Sequence, residues 1–156
     1  HKIDMLIPHG FNLDMDSANF AWISRTEADL DIGILIYYYP YLDTADFNKD
    51  SLLQKRNKVL KRFVKGEPEG SYMTTEDKVP VYHNTFYKDK DQFVAELRGL
   101  WKLKNGFMGG PFISHTQIDD NYNRIVTVEG YVFAPNRDKR NYIRQLESLL
   151  YSVSFE

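Results

Sequence analysis

Cysteine is absent from this chain of 156 residues. Its absence excludes disulfide bonds and thiolate chemistry within the chain, without identifying a cellular compartment. An excess of basic residues is also missing, because 20 Lys and Arg stand against 22 Asp and Glu. The formal net charge of −2 argues against nucleic acid as the main partner, since no surplus of cations is available to neutralise phosphates.

Long apolar runs are missing too. The longest, residues 32–39, is too short to cross a bilayer as a helix, so no transmembrane segment is predicted. No signal peptide is visible, and the chain begins at His1 instead of a methionine. We interpret the chain as a fragment of a longer precursor, from which a targeting segment could have been removed.

Aromatic residues, in contrast, are abundant at 15% of the chain, with eleven tyrosines among them. Such a composition favours β-sheets, large cores or adhesive surfaces. Hydrophobic residues at 42% and charged residues at 27% are typical of a globular protein. The length fits a single domain, which we assign to residues 1–156.

The glycine-rich stretch 106–112 separates two extended segments. Apolar side chains alternate along residues 93–103, and β-branched and aromatic residues are frequent in 112–118. Since glycine tolerates positive φ and proline fixes φ, we predict the corner of a β-meander here. A phosphate-binding loop is disfavoured, because no helix N-terminus follows the glycines. The structural turn is assigned to Gly106, Gly109, Gly110 and Pro111.

Apolar residues at helical spacing predict two helices, over 49–64 with Asn48 as N-cap and over 137–151 with Asn136 as N-cap. Strands are predicted at 3–7, 20–24, 32–39, 79–87, 92–104, 112–118 and 124–134. This order gives two β-β-β-α units, in halves 1–66 and 79–156 joined by 67–78. We interpret the two units as an internal duplication.

The predicted fold is α+β, with a mostly antiparallel sheet of six to eight strands and both main helices packed on one face. The other face would then be partly apolar and would need a cover. Tyrosine and tryptophan combine an apolar ring with a polar group, and they serve at interfaces and in binding flat ligands such as sugar rings. About half of the aromatic set must pack in the core, and the remainder is expected to form a docking face. The set comprises Trp22, Tyr37, Tyr38, Tyr39, Tyr41, Trp101, Tyr131 and Phe133, of which Tyr37, Tyr39, Tyr41 and Trp101 are the candidate binding residues.

A basic cluster at the start of the second predicted helix is the other candidate. Arg137, Lys139 and Arg140 place positive charge where the helix dipole favours acids. Together with the free N–H groups of the first turn, they could receive a carboxylate, a phosphate or an acid from the missing part of the chain. A solvated basic patch is the alternative interpretation.

No catalytic residue, metal ligand or cofactor site is predicted. Ser114 and His115 are adjacent on a strand, so their side chains point to opposite faces and cannot form a nucleophile–base pair. The four histidines lack the spacing of a metal motif, and the run 119–123 lacks the glycine and terminal glutamate of an EF-hand loop.

Motifs along most of the chain give it a family resemblance. The motifs are Tyr39-Pro40-Tyr41, Lys55-Arg56, Gly70-Ser71-Tyr72-Met73-Thr74-Thr75, Gly99-Leu100-Trp101, Met108-Gly109-Gly110-Pro111-Phe112, Ala134-Pro135, Lys139-Arg140 and Arg144-Gln145-Leu146-Glu147. With them the chain resembles domain-of-unknown-function family 4837. The resemblance implies a C-terminal portion of an envelope lipoprotein of Bacteroidota, whose signal peptide and lipidated cysteine lie upstream. It implies a location in the periplasm or at the outer membrane, and it supplies no catalytic residues.

Three functions are compatible with these features. The leading hypothesis is a non-catalytic, envelope-associated domain that binds a protein partner, or its own missing upstream half, through the aromatic-rich sheet face. The alternative is a binding module for a glycan, a peptide or an anionic small molecule. A hydrolase is the least favoured, because no motif with a mechanism is present.

Overall fold

The computed structural model describes residues 1–89 and 91–156. Its strands are β1 (Ile3–Asp4), β2 (Asn12–Ser17), β3 (Phe20–Glu27), β4 (Leu30–Pro40), β5 (Tyr72–Thr75), β6 (Tyr82–Lys88), β7 (Gln92–Lys104), β8 (Gly109–Asp119), β9 (Arg124–Phe133) and β10 (Ser154–Phe155). The two α-helices are α1 (Lys49–Phe63) and α2 (Arg140–Tyr151), and a short 3-10 helix, Thr44–Phe47, precedes α1.

One curled sheet organises the molecule, and its pairings are antiparallel. Seven strands follow the order β2-β3-β4-β9-β8-β7-β5, and β6 also pairs with β7. The units β2-β3-β4-α1 and β7-β8-β9-α2 meet where β4 pairs with β9. The predicted α+β class, the antiparallel sheet and the extended conformation of residues 92–104 are confirmed.

The two helices lie on opposite faces of this sheet, so the prediction that both pack on one face is wrong. Successive side chains of a strand point to opposite faces. In β4, Leu35 belongs to the same core cluster as Leu60 of α1, whereas its neighbour Ile34 belongs to the cluster of Leu150 of α2. Each face of the sheet therefore has its own helix and its own core. In the part of the chain that the structure describes, neither face is left without a helix, contrary to the expected uncovered apolar face.

The second helix begins later than predicted. It starts at Arg140 with Lys139 at the N-cap position, so Asn136 is not its cap. The backbone N–H of Arg137 donates to the carbonyl of Ala134 at 3.2 Å, which makes this segment a turn. The segment 67–78, predicted as a plain connection, contains β5, which pairs with β7.

The glycine-rich corner forms for a different reason than the one predicted. Gly109, Gly110 and Pro111 are already part of β8, and the residue with positive φ is Asn105, at 60°. Gly110 is needed for close packing, because a Cβ atom there would lie 2.0 Å from the carbonyl oxygen of Val132. Among these positions only Gly106 lies in the turn itself.

Candidate functional site

An aromatic-lined pocket of about 260 Å³ lies on the α1 face of the sheet. Both tryptophans of the chain line it. The segment that follows α1, residues 64–67, forms one wall, and Met108 at the β7–β8 hairpin forms part of the rim. We call this site the aromatic pocket; its lining includes Trp22, Asp31, Met73, Trp101, Met108 and Tyr131.

The ring of Tyr131, which lines the aromatic pocket, packs closely against the backbone of Gly33. Gly33 and Tyr131 are register partners on β4 and β9. A Cβ atom on Gly33 would lie 2.1 Å from Cε1 of the Tyr131 ring, so only glycine permits this arrangement. The buried ring is therefore fixed by the strand pairing itself.

A hydrogen bond to the backbone fixes the second aromatic wall. Trp101 is 2% exposed, and its Nε1 donates to the carbonyl of Val132 at 3.1 Å. The indole meets the Tyr131 ring edge-on, with 5.6 Å between the ring centroids. Such a pair of amphipathic rings is a rigid surface that loses little conformational entropy when a ligand binds.

The polar end of the aromatic pocket is rich in acceptors. Trp22 Nε1 donates to the Tyr131 hydroxyl at 3.0 Å, and Tyr131 in turn interacts with the half-buried carboxyl of Asp31. Burial raises the pKa of the Asp31 carboxyl, and the neighbouring charge of Asp14 raises it further. Asp14 lies where the β2–β3 register shifts, the kind of irregularity that redirects a side chain. Within residues 1–89 and 91–156, neither carboxylate forms an ion pair.

A buried ion pair attaches α1 to the sheet beside this pocket. Arg56 and Glu129 are both fully buried, and the guanidinium donates twice, from Nε to Oε2 at 2.8 Å and from Nη2 to Oε1 at 2.7 Å. Nη1 donates to the hydroxyl of Thr75 at 2.7 Å, and the guanidinium lies 3.7 Å from the ring centroid of Phe112. The pair fixes the position of α1, and with it the wall formed by the segment that follows.

A second polar cluster lies under α2, on the other face. The Nε2 atom of His115 lies 2.7 Å from Oε2 of Glu96, and Arg98 bridges Glu96 to Glu147. Burial opposes ionisation of Glu96, but the hydrogen bonds from His115 and Arg98 prevail and the pKa of Glu96 is lowered. His115 is fully buried, so a substrate could not reach it without the helix moving. We therefore assign this cluster to the attachment of α2.

The model of the family described as "Domain of unknown function (DUF4837)" matches residues 1–152. The chain belongs to the DUF4837 family. Seven chains of solved structures match this DUF4837 domain, among them LpqN of Mycobacterium tuberculosis, described as involved in cell envelope biogenesis. The likeness to LpqN has a TM-score of 0.50 and 14% identity, over 97% of this chain and 82% of LpqN, and it concerns the fold alone. The comparison with curated proteins gives no match.

The aromatic candidates of this DUF4837 domain do not form one surface. Tyr37 and Trp101 are buried in the core, and Trp101 lines the aromatic pocket. Tyr39 and Tyr41 are half-buried, and the Tyr39 ring lies 4.9 Å from the ammonium of Lys55. Their roles in binding stay predictions.

The basic candidates of the DUF4837 domain are occupied by local hydrogen bonds. Arg137 donates to the carbonyl of Ala28 and to the Tyr142 hydroxyl, both at 3.3 Å. Lys139 donates to the Arg137 carbonyl at 3.2 Å. The backbone N–H of Arg140 donates to the Asp138 carboxylate at 3.0 Å, the place an anion would occupy. Binding at these residues stays a prediction.

Two further findings concern metals and membranes. Among the described residues of the DUF4837 domain, no three His, Asp or Glu side chains are arranged to hold a metal ion. None of the helices in that part of the chain is both long and apolar enough to cross a membrane.

Ser114 and His115 lie on opposite faces of the sheet, as the alternation of strand side chains predicts. Ser114 is the register partner of Glu129, whose side chain lies on the α1 face.

Proposed function

We propose that this DUF4837 domain is a non-catalytic, envelope-associated binding module that takes a small ligand in the aromatic pocket. The observation that carries the proposal is the pocket itself, where two rigid aromatic rings, Trp101 and Tyr131, end at the carboxyl group of Asp31. Pockets with apolar walls and a few converging polar groups are typical of ligand sites. The role of LpqN in cell envelope biogenesis supports the envelope part of the proposal.

The pocket replaces the sheet face as the leading binding surface. The docking hypothesis needed an apolar face without a helix, and α1 and α2 pack on opposite faces. The proposal therefore takes up the alternative of a ligand-binding module. Asp31 and Glu67 line the pocket together with one described cation, Lys65, so the balance of charge favours a neutral or cationic ligand with hydrogen-bond donors over an anion.

The ligand is expected to be small and partly apolar. A volume of about 260 Å³ lies just below the range known for ligand pockets, about 300–1,000 Å³. The volume fits one ring or a short chain better than a long peptide. The half-buried ring of Trp22 is the one that a ligand can stack on, and such a contact contributes about 0.5–1.5 kcal/mol beyond the burial of apolar area.

Tryptophan fluorescence tests this proposal directly, because both tryptophans of the chain line the pocket. We propose titrating the protein with glucose, benzylamine and benzoate as neutral, cationic and anionic probes. Glucose or benzylamine is expected to shift the emission saturably, and benzoate is not. Asp31→Asn is expected to weaken benzylamine binding, whereas Asp120→Asn, an exposed change elsewhere, is the matched control. Absence of any saturable shift with glucose and benzylamine, or equal effects of both variants, would refute the proposal.

A further inference from the structure

A second pocket, between α1 and β4, has the opposite charge. It measures about 200 Å³ and is lined by Lys55, Lys58 and Arg62 of α1, together with Tyr39 and Asn19. No Asp or Glu of the described chain lines it. We call this site the basic pocket.

The charge of the basic pocket departs from that of the chain as a whole. Helix α1 carries six basic residues and one acidic residue, a net charge of +5, in a chain whose net charge is −2. Arg56 is neutralised inside the protein by Glu129. Lys55, Lys58 and Arg62 form no ion pair with any carboxylate of residues 1–89 and 91–156.

The three cations repel one another along one side of the helix. Lys55 and Lys58 are three positions apart, and Lys58 and Arg62 are four apart. Like charges at these spacings lie close together on the helix surface and destabilise the helix. Since no neighbouring carboxylate compensates this repulsion, a bound anion would relieve it.

Aromatic rings hold two of the three cations in place without using their hydrogen-bond donors. The Lys55 ammonium lies 4.9 Å from the Tyr39 ring centroid, and the Arg62 guanidinium lies 4.9 Å from that of Phe63. The Phe63 ring is itself stacked on Phe20 in the core, with centroids 4.4 Å apart. Cation–π contacts orient a charged group while its N–H donors stay available to a ligand.

We propose that the basic pocket binds a phosphate group. The guanidinium of Arg62 and the two ammonium groups provide the charge-assisted donors that phosphate oxygens accept, and Asn19 adds an amide to the lining. The phosphate belongs to either a soluble phosphomonoester or a lipid headgroup, and the chemistry of recognition is the same for both. This site is separate from the aromatic pocket, and neither site requires the other.

The test compares two double variants with equal loss of charge. Lys58→Gln/Arg62→Gln changes the basic pocket, whereas Lys78→Gln/Arg144→Gln changes exposed residues that line neither this pocket nor the aromatic pocket. Binding of glycerol 3-phosphate is measured by calorimetry, and binding of vesicles of phosphatidylglycerol or phosphatidylcholine by co-sedimentation. All four substituted residues are exposed, so unchanged urea midpoints are expected for both variants.

The expected result is that Lys58→Gln/Arg62→Gln loses at least tenfold in affinity while Lys78→Gln/Arg144→Gln keeps the affinity of the unsubstituted protein. Binding of glycerol 3-phosphate supports the proposal with a soluble ligand, and binding of phosphatidylglycerol vesicles alone supports it with a lipid headgroup. Equal losses in both variants would show non-specific charge attraction and overturn the proposal. A protein that binds neither probe overturns it as well, and leaves the fluorescence test of the aromatic pocket unaffected.

Discussion

The buried pair of Arg56 and Glu129 allows a quantitative prediction of stability. Both side chains are fully buried and are joined by two hydrogen bonds of 2.8 and 2.7 Å. Replacing either residue with methionine leaves the other as a buried charge without its partner. Such a loss costs about 3–5 kcal/mol, a large fraction of the roughly 5–15 kcal/mol by which typical domains are stable.

The double variant Arg56→Met/Glu129→Met is expected to behave differently from its parents. It removes both charges at once and fills the space with side chains of similar length, so the desolvation penalty disappears together with the attraction. Thr75 loses the hydrogen bond from Arg56 but still donates to Asn57 at 2.7 Å. We therefore expect a residual loss of about 1 kcal/mol, smaller than that of either single variant.

Urea denaturation of the four proteins gives the coupling free energy from the midpoints and slopes. A double variant that folds where a single variant does not would equally demonstrate the coupling. The expectation is refuted if the double variant loses as much stability as the two single variants combined. Additive losses would mean that the two charges do not depend on each other in the folded protein.

Three other perturbations have defined outcomes. The pKa of Glu96 in the folded protein is below its ordinary value of 4.5, so the ionised carboxylate stabilises the fold above that pH. This stabilisation is lost as the pH falls through the lower folded-state pKa. In Glu96→Gln, the urea midpoint should therefore depend less on pH across this acidic range. In Gly110→Ala, the new Cβ atom would lie 2.0 Å from the carbonyl oxygen of Val132, so the free energy of unfolding should fall by about 1–3 kcal/mol or more. An unchanged urea midpoint would contradict this close approach of Gly110 to Val132. Asn105→Gly should keep or raise the melting temperature, whereas Asn105→Val should lower it, because φ is 60° at this position.

The strand and helix types were predictable because their apolar periodicity is strong. Residues 92–104 fit both periods, and Gly99 correctly favoured a strand. The position of the helices was also encoded in β4, where Leu35 and Ile34 are apolar on opposite faces, as in a strand covered on both sides. A strand of this kind needs a cover on each side, and with two helices available, one on each face meets that need.

The candidate site was less predictable, because it depends on contacts between distant strands. Arg56 occupies the buried stripe of α1, four residues from both Leu52 and Leu60, and a charge at such a position signals a buried partner. The partner, Glu129, can be identified only once the register of β9 is known. Likewise, nothing local indicates that Gly33 makes room for a ring from another strand.

The pairing of β4 with β9 has a consequence for how the chain folds. Its contacts join Pro40 to Arg124 and Asp31 to Phe133, so most of the polypeptide must be closed into one loop before this ladder can form. Both hydrophobic clusters include residues from these two strands, and neither cluster is complete until the ladder exists. We therefore expect slow folding dominated by non-local contacts, in which neither half acquires a stable structure ahead of the other.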